Sequence, residues 1–155
     1  MKYICPLITV DDINRSKDFY ERMLDQKIKY DFGENVTFEG DFSIHLREHF
    51  QELIDKRPVV SGSNSFELYF EHDELEELIA KLENEKVEFV HGLREQPWRQ
   101  KVVRIYDPDL NVIEIGESME HLAVRLRNEG LSVATVAEIM NLPLNKVLSM
   151  LDQFI

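Results

Sequence analysis

The chain has 155 residues, of which 43% are hydrophobic, and its formal net charge is −12 at pH 7. This length accommodates one well-filled core with a small appendage, which excludes two large domains. The acidic balance argues against a nucleic-acid partner, because phosphate binding needs a basic surface, and it favours a cationic small-molecule ligand.

Several features of the sequence bear on where the protein works. No apolar run approaches the ~20 residues that a membrane helix requires, so we expect no membrane partner. The N-terminus lacks the layout of a secretion signal, because Cys5, Pro6 and Thr9 interrupt its apolar run. The single cysteine cannot form an internal disulfide. These features predict a protein of the reducing cytoplasm.

The first half of the chain predicts a strand, a helix and three further strands. Alternating apolar residues indicate the first strand, Asp11 and Asp12 supply helix caps, and Gly33 and Gly40 mark turns between the later strands. The predicted strands are 3–10, 27–31, 36–39 and 42–47, and the predicted helices are 14–24 and a short connection at 48–56.

The second half predicts the same order of elements. The stretch 66–71 alternates apolar and polar residues, so Glu67, Tyr69 and Glu71 share the face opposite the apolar one. A helix with an apolar stripe follows at once and covers the apolar face, which leaves the polar face bare. The predicted strands are 66–71, 86–90, 99–106 and 111–116, and the predicted helix is 74–85.

An internal repeat indicates a duplicated module. The segment 27–33, KIKYDFG, matches the segment 86–92, KVEFVHG, and each follows its helix directly. Agreement in both residues and element order favours duplication over chance. We therefore predict an α+β fold in which residues 1–117 form two βαβββ modules, at about 1–56 and 66–117.

Residues 118–155 break the repeat and predict a helical C-terminal extension. Asn128, Glu129 and Gly130 form a helix stop, and Ser132 can cap the next helix. The outline resembles a helix-turn-helix, but residues 117–155 hold five acidic and three basic side chains, which argues against DNA. We expect a lid, a packing element or a dimer contact.

Polar side chains on the bare faces of several strands are the candidates for ligand binding. Because alternate residues of a strand share a face, His45 is expected on the same face as Arg47, and Arg104 on the same face as Tyr106. Glu114 is expected on the face opposite its apolar neighbours. Polar groups on several bare faces are hard to explain as core, so they predict a wet cleft. The predicted substrate-binding residues are Arg47, Tyr69, Glu71, Trp98, Arg104 and Tyr106.

These features resemble the vicinal oxygen chelate superfamily, which includes glyoxalase I, bleomycin resistance proteins and extradiol dioxygenases. The resemblance rests on the doubled element order, on Val10-Asp11-Asp12 before Phe19-Tyr20, on Trp98 before a strand, and above all on the run 107–115, DPDLNVIEI. It covers residues 1–117. It implies that the modules pair into a half-open barrel around a ligand cavity, often in a homodimer.

The resemblance also implies a metal site at four positions, which here hold Cys5, His45, Glu67 and Glu114. The commonest pattern has histidine at the first and third positions and glutamate at the others, so only Glu114 keeps the expected residue. One histidine with two carboxylates is chemically sufficient to hold divalent Fe, Mn, Zn or Ni. The metal would act as a Lewis acid, with Glu67 and Glu114 as catalytic groups that move protons.

Leu110 is a departure in the most specific part of the resemblance. The family usually has glycine at this position, where the backbone adopts positive φ. Leucine carries a steric cost in that conformation. We therefore expect either that Asn111 takes the left-handed conformation or that the turn is of another type.

Three functions are open from the sequence. The first is a metal-dependent lyase, isomerase or dioxygenase acting on a small oxygenated molecule; likeness to the superfamily does not choose among the three, because this fold carries many chemistries. The second is a metal-free protein that sequesters a cationic or aromatic compound, as resistance proteins do, with Arg47, Arg104 and His45 neutralising the carboxylates. The third is an interaction module that binds a protein partner through residues 117–155.

Overall fold

The computed structural model describes residues 1–152, which form eight strands and six helices. The α+β class, the doubled βαβββ order and the helical extension are confirmed. The strands are β1 (Leu7–Val10), β2 (Ile28–Asp31), β3 (Asn35–Phe38), β4 (Ser43–Leu46), β5 (Glu67–Glu71), β6 (Phe89–Glu95), β7 (Lys101–Tyr106) and β8 (Val112–Gly116). The helices are α1 (Ile13–Leu24), α2 (Arg47–Leu53), α3 (Leu75–Asn84), α4 (Met119–Asn128), α5 (Val133–Met140) and α6 (Leu144–Leu151).

The chain divides into two compact units. Unit 1 comprises residues 1–67, 85–88 and 106–112. Unit 2 comprises residues 68–84, 89–105 and the chain from 113 onward. Unit 1 therefore holds the first module and the turn between β7 and β8, whereas unit 2 holds most of the second module and the helical extension.

The sheet of unit 1 has the strand order β1-β4-β3-β2, with β1 parallel to β4 and the other pairs antiparallel. The predicted cap of α1 is confirmed, since Asp12 Oδ1 accepts from the backbone N–H groups of Asn14 and Arg15 at 2.9 and 3.0 Å. In the core the ring of Tyr20 lies 5.5 Å from that of Phe38. The apolar stripe of α1 thus packs on the first sheet.

The turn that carries the most specific family residues is tied to α1 in unit 1. Asp107 Oδ2 accepts from the Tyr20 hydroxyl at 2.8 Å, and its Oδ1 accepts from the backbone N–H groups of Asp109 and Asn111, both at 2.8 Å. Burial, with the Asp107 charge as the next cause, raises the pKa of Tyr20 well above its usual value. The tyrosine therefore stays a neutral donor, and these residues act in structure rather than in chemistry.

Asp109 anchors the same turn a second time. Its Oδ1 accepts from the backbone N–H of Asp11 and from Arg15 Nη2, both at 2.8 Å, and its Oδ2 accepts from the Ser16 hydroxyl at 3.2 Å. The carboxylate is almost fully buried, so it needs these partners. The start of α1 and this turn, two of the segments that carry the family resemblance, are therefore joined by hydrogen bonds into one structure.

Leu110 itself adopts the left-handed conformation, with φ of 63°, so the prediction that Asn111 would do so is wrong. The Leu110 N–H donates to the Asp107 carbonyl at 3.1 Å, and the Asn111 side chain donates to Asp107 Oδ2 at 2.9 Å. This dense bonding fixes the turn on both sides of Leu110. It therefore holds a leucine in a conformation that favours glycine.

The sheet of unit 2 has the order β5-β8-β7-β6, and Leu75, Leu78 and Leu82 of α3 are buried. Strand β6 is longer than predicted, because His91 and Gly92 continue it rather than starting a loop. Apolar and polar residues do not alternate along its sequence, FVHGLRE, so periodicity does not predict the whole strand. The register with β7 shifts on both sides of His91, so pairing rather than side-chain alternation defines this strand.

The helical extension has a hydrophobic core of its own within unit 2. Buried side chains from all three helices form it, among them Leu122, Leu126, Val136 and Val147. The predicted cap is confirmed, since Ser132 Oγ accepts from the Thr135 N–H at 3.1 Å. Across residues 1–152, none of the helices combines the length and apolar character that spanning a membrane would need.

Candidate functional site

The predicted shared face of His45 and Arg47 does not form, because the chain turns from strand to helix between them. Strand β4 ends at Leu46 and α2 begins at Arg47, whose Nη1 pairs with Asp11 at 3.0 Å. The same junction carries His49 back against His45, and His45 Nε2 lies 2.8 Å from His49 Nδ1. We call His45 and His49 the histidine pair.

The histidine pair is enclosed by protein partners in unit 1. His45 Nδ1 lies 3.3 Å from Asn35 Nδ2, and His49 Nδ1 lies 3.4 Å from Glu34 Oε2. Burial, with His49 as the second cause, lowers the pKa of the buried His45. Both ring nitrogens of His45 therefore have partners in the protein, and neither is left for a metal ion.

A cleft of about 490 Å³ lies beside the histidine pair in unit 1. Glu34, Glu48, His49, Glu52 and Lys56 are among the residues that line it. His49 is not among the functional residues predicted from the sequence, where it falls in the connection 48–56. The spacing of four between His45 and His49 was the available signal, but it indicates proximity only once a helix is known to begin between them.

The other predicted residues of unit 1 have separate partners. Cys5 Sγ lies 3.4 Å from the Ser43 hydroxyl, and the Tyr106 hydroxyl donates to Asn64 Oδ1 at 3.0 Å. Glu67 is exposed and begins β5. In the described part of unit 1, neither Cys5 nor Tyr106 is hydrogen-bonded to the histidine pair. The expectation that four donors meet around one cavity stays a prediction.

In unit 2 an ion pair joins two of the predicted residues. Glu114, buried on β8, forms a salt bridge with the guanidinium of Arg104 on the neighbouring strand β7. Arg104 Nη1 also donates to His91 Nε2 at 3.2 Å. Glu114 is the one position where this chain keeps the family's expected metal ligand, and its charge is neutralised by Arg104.

A second group of predicted residues in unit 2 is joined by Gln100, whose role the sequence analysis missed. Trp98 Nε1 donates to Gln100 Oε1 at 3.0 Å, Gln100 Nε2 donates to the Tyr69 hydroxyl at 2.9 Å, and Tyr69 donates to Glu71 Oε1 at 3.1 Å. We call these four residues the Gln100 network. Gln100 is buried, yet Tyr69 and Trp98 remain 48% and 43% exposed. The network therefore fixes two aromatic rings that face solvent.

The position of Gly116 gives a prediction for this network. A Cβ at Gly116 would lie 2.9 Å from Gln100 Nε2 and 3.3 Å from the Tyr69 ring. Because Gln100 is buried and bonded on both sides, Gly116→Ala should displace it and cost about 1–3 kcal/mol. The emission of Trp98 should shift to longer wavelength as its indole loses a partner.

The matched control is Gly92→Ala in strand β6 of the same sheet, where a Cβ meets nothing within 4 Å. This variant should leave both the melting temperature and the Trp98 emission nearly unchanged. Equal effects of the two substitutions would show that Gly116 is not required for the close approach of Gln100.

The ionisation of Tyr69 gives a second prediction. Burial raises the pKa of Tyr69 to about 12. The hydrogen bond from Gln100 lowers this pKa, and the charge of Glu71 raises it. Because the folded pKa exceeds the unfolded one, the stabilisation by the neutral phenol is complete below pH 10 and is lost as pH rises through about 12. The difference in phenolate absorbance between the wild-type protein and the Tyr69→Phe variant should titrate with a midpoint near pH 12. A midpoint near 10 would show that the phenol of Tyr69 is not shielded from water.

The donor set does not fit a divalent metal ion. The carboxylate of Glu114 is paired with Arg104, the ring nitrogens of His45 have Asn35 and His49 as partners, and Cys5 contacts a hydroxyl. Throughout residues 1–152, no three histidine, cysteine, aspartate or glutamate side chains are grouped so that they could hold a metal ion. Three of the four candidate ligands, Cys5, His45 and Glu114, thus have partners within the protein.

Comparison with known proteins agrees with this fold. A family profile described as a glyoxalase-like domain matches residues 3–120, which leaves most of the helical extension outside the match. Proteins with curated functional descriptions yielded no match.

Solved structures resemble the same part of the chain. A protein of unknown function from Agrobacterium tumefaciens is 41% identical, with a TM-score of 0.69 over 76% of this chain and 94% of that one. A glyoxalase/bleomycin resistance protein/dioxygenase from Nocardioides is 16% identical, with a TM-score of 0.61 over 76% and 83%. A lactoylglutathione lyase from Agrobacterium tumefaciens is 18% identical, with a TM-score of 0.55 over 76% and 95%. The two less identical structures share the fold alone. With its doubled βαβββ order and the profile match over residues 3–120, the chain belongs to the glyoxalase-like family of the vicinal oxygen chelate superfamily.

Proposed function

We propose that this protein is a metal-independent binding protein for small aromatic cations. The observation that carries the proposal is the Arg104–Glu114 ion pair in unit 2. A buried carboxylate needs a compensating charge, which a metal supplies in a metalloenzyme and a guanidinium supplies here. The site is therefore electrostatically complete without a metal.

The Gln100 network defines the ligand chemistry. Its hydrogen bonds run in one direction, from Trp98 through Gln100 and Tyr69 to the carboxylate of Glu71. Two rings held in place by hydrogen bonds lose little conformational entropy when a ligand stacks on them. Ring faces and a nearby carboxylate both attract a positive charge. The net charge of −12 favours the same class of ligand.

The metal-dependent lyase, isomerase or dioxygenase is the alternative function. For metal binding, a metal ion would have to replace Arg104 as the partner of Glu114 and His49 as the partner of His45. Arg104 and His49 would then lose these contacts. Likeness to a lactoylglutathione lyase at 18% identity concerns the fold and brings no reaction to this chain. The geometry therefore favours binding over this chemistry.

Fluorescence of Trp98, the only tryptophan of the chain, tests the proposal directly. Benzylammonium, benzyl alcohol and benzoate share a ring and differ in charge, so they serve as probes. We expect the cation to quench Trp98 and to bind about tenfold more tightly than the alcohol, with benzoate weakest. Glu71→Gln should abolish the preference for the cation. Phe32→Ala, which removes an exposed aromatic ring in unit 1, is the control and should change nothing.

Two outcomes of this experiment would overturn the proposal. The first is equal binding of the three probes, because it would remove the role of charge. The second is binding that Tyr69→Ala leaves intact, because it would remove the role of the Gln100 network. Calorimetry provides the same comparison for Trp98→Ala, which lacks the fluorophore.

A further inference from the structure

The turn that joins β6 to β7 carries Trp98 and has a strained backbone. The Arg99 N–H donates to the Gln96 carbonyl, and the Gln96 N–H donates to the Gln100 carbonyl, both at 2.8 Å. Arg99 itself has φ of 71°, in the left-handed region that favours glycine. We call residues 96–99 the Trp98 turn. Because its conformation at Arg99 costs free energy, contacts from outside the turn are needed to hold it.

The helical extension supplies such contacts through Arg125 of α4 and through Glu129, the residue that follows this helix. Arg125 Nη2 donates to the Arg99 carbonyl at 2.6 Å, and Arg99 Nη2 donates to Glu129 Oε2 at 2.9 Å. The other oxygen of Glu129 accepts from Arg125 Nη1 at 2.9 Å. Charge-assisted hydrogen bonds of this kind are stronger than those between neutral groups. Both the backbone and the side chain of Arg99 are therefore tied to the end of α4.

Arg125 also reaches the Gln100 network, and it does so through Glu117. The Glu117 carboxylate accepts from Arg125 Nε and Nη2 and from the Lys101 N–H. The Glu117 carbonyl accepts from Gln100 Nε2 at 2.8 Å, so Glu117 connects the guanidinium with the amide that bonds Trp98. One arginine of the extension thus supports Trp98 from two sides, through the Trp98 turn and through Gln100.

We propose that the end of α4 belongs to the ligand site, with Arg125 and Glu129 as positioning residues that hold Trp98 ready for stacking. This inference rests on the proposed function, because both residues act through Trp98 rather than by touching the ligand. A ring that is already held loses less conformational entropy when a ligand stacks on it, so the affinity depends on these contacts. The family profile ends at residue 120, so this support is an addition to the part of the chain that the family shares.

Two substitutions separate the positioning role from the stabilisation of a buried charge. Arg125→Lys keeps a positive charge beside Glu117, but a single ammonium group lacks the fork that reaches the three partners of Arg125 together. Glu129→Gln removes, at an exposed position, the charge that pairs with both guanidinium groups. Both variants should fold, which circular dichroism checks, but the Trp98 turn should be released from α4.

The motion of Trp98 in the absence of ligand gives the first measurement. Time-resolved anisotropy of its emission should report a ring fixed to the protein in the wild-type chain and a fast local motion in both variants. Calorimetric titration with benzylammonium gives the second measurement. Both variants should bind about three- to tenfold more weakly than the wild-type protein. Loss of affinity together with a freely moving Trp98 identifies a positioning role.

The controls change stability or charge without touching the Trp98 turn. Val136→Ala opens a cavity in the core of the extension, so it should lower the melting temperature and leave the anisotropy decay and the affinity unchanged. Glu120→Gln removes one charge from α4 near its N-terminus and should change neither. If Val136→Ala mobilises Trp98 as much as Arg125→Lys does, the contacts of Arg125 are not what holds the ring, and the inference is wrong.

The two measurements also distinguish this inference from the proposed function. The same fast motion in the wild-type protein and in the variants would overturn the inference, because the turn would not be held. Variants that bind benzylammonium as tightly as the wild-type protein would overturn it as well, and the proposed function would stand. If the wild-type protein does not bind benzylammonium, the proposed function fails. A Trp98 that moves freely only in the two variants would still support the positioning role of α4.

Discussion

Replacing Arg125 by methionine is expected to lower the free energy of unfolding by about 3–5 kcal/mol, the largest effect that the structure predicts in unit 2. Glu117, whose side chain is 2% exposed, receives Arg125 Nη2 at 2.6 Å and Nε at 3.1 Å. Hydrogen bonding to Glu117 is the largest cause that raises the pKa of Arg125, so the guanidinium stays charged at neutral pH. Urea denaturation at pH 7 measures the loss.

The companion variant removes both charges of this pair. Arg125→Met with Glu117→Met should recover much of the lost stability, because no buried charge is left alone. Recovery should be incomplete, since Glu117 Oε1 also accepts from the Lys101 N–H at 2.8 Å. A single-variant loss below about 1 kcal/mol would show that water reaches Glu117 and that the pair is not buried.

Asp107→Ala is expected to cost about 3–5 kcal/mol, because it leaves several buried donors without an acceptor. The Tyr20 hydroxyl, two backbone N–H groups and the Asn111 side chain all donate to this carboxylate. Tyr20→Phe removes one of these donors and should cost only about 1 kcal/mol. Thermal unfolding of the variants gives the comparison.

Asp18→Ala is the control for this series. Asp18 lies exposed on α1 and pairs with Arg22 at 3.0 Å on the surface. Such a pair contributes little, so we expect a change of at most about 0.5 kcal/mol. If Asp107→Ala is as mild as Asp18→Ala, the turn of residues 107–111 does not depend on its carboxylate.

Much of the fold is predictable from the sequence because its signals are local. The caps at Asp12 and Ser132, the helix stop at Gly130 and the alternation in β5 each depend on a few neighbouring residues. The part of strand β6 from His91 to Glu95 escapes prediction because its pairing with β7 replaces side-chain periodicity. The left-handed Leu110 escapes because the bonds that hold it come from Asp107.

The candidate site is predictable only in its residue types. Strand parity correctly places Tyr69 and Glu71 on one face, where they are hydrogen-bonded. It cannot show that β7 lies beside β8, which decides that Arg104 pairs with Glu114. It also misses Gln100, whose importance comes from partners 31 and 17 residues away along the chain. Chemistry that depends on tertiary partners is therefore the part that the structure adds.

The central claim is that Arg104 rather than a metal ion compensates Glu114, so that ligand binding needs no metal. Calorimetric titration of benzylammonium into chelator-treated protein, repeated after addition of Zn²⁺ or Mn²⁺, tests it most directly. The account predicts dissociation constants that agree within about twofold across these conditions. Binding that appears only after stoichiometric uptake of a metal ion would contradict it.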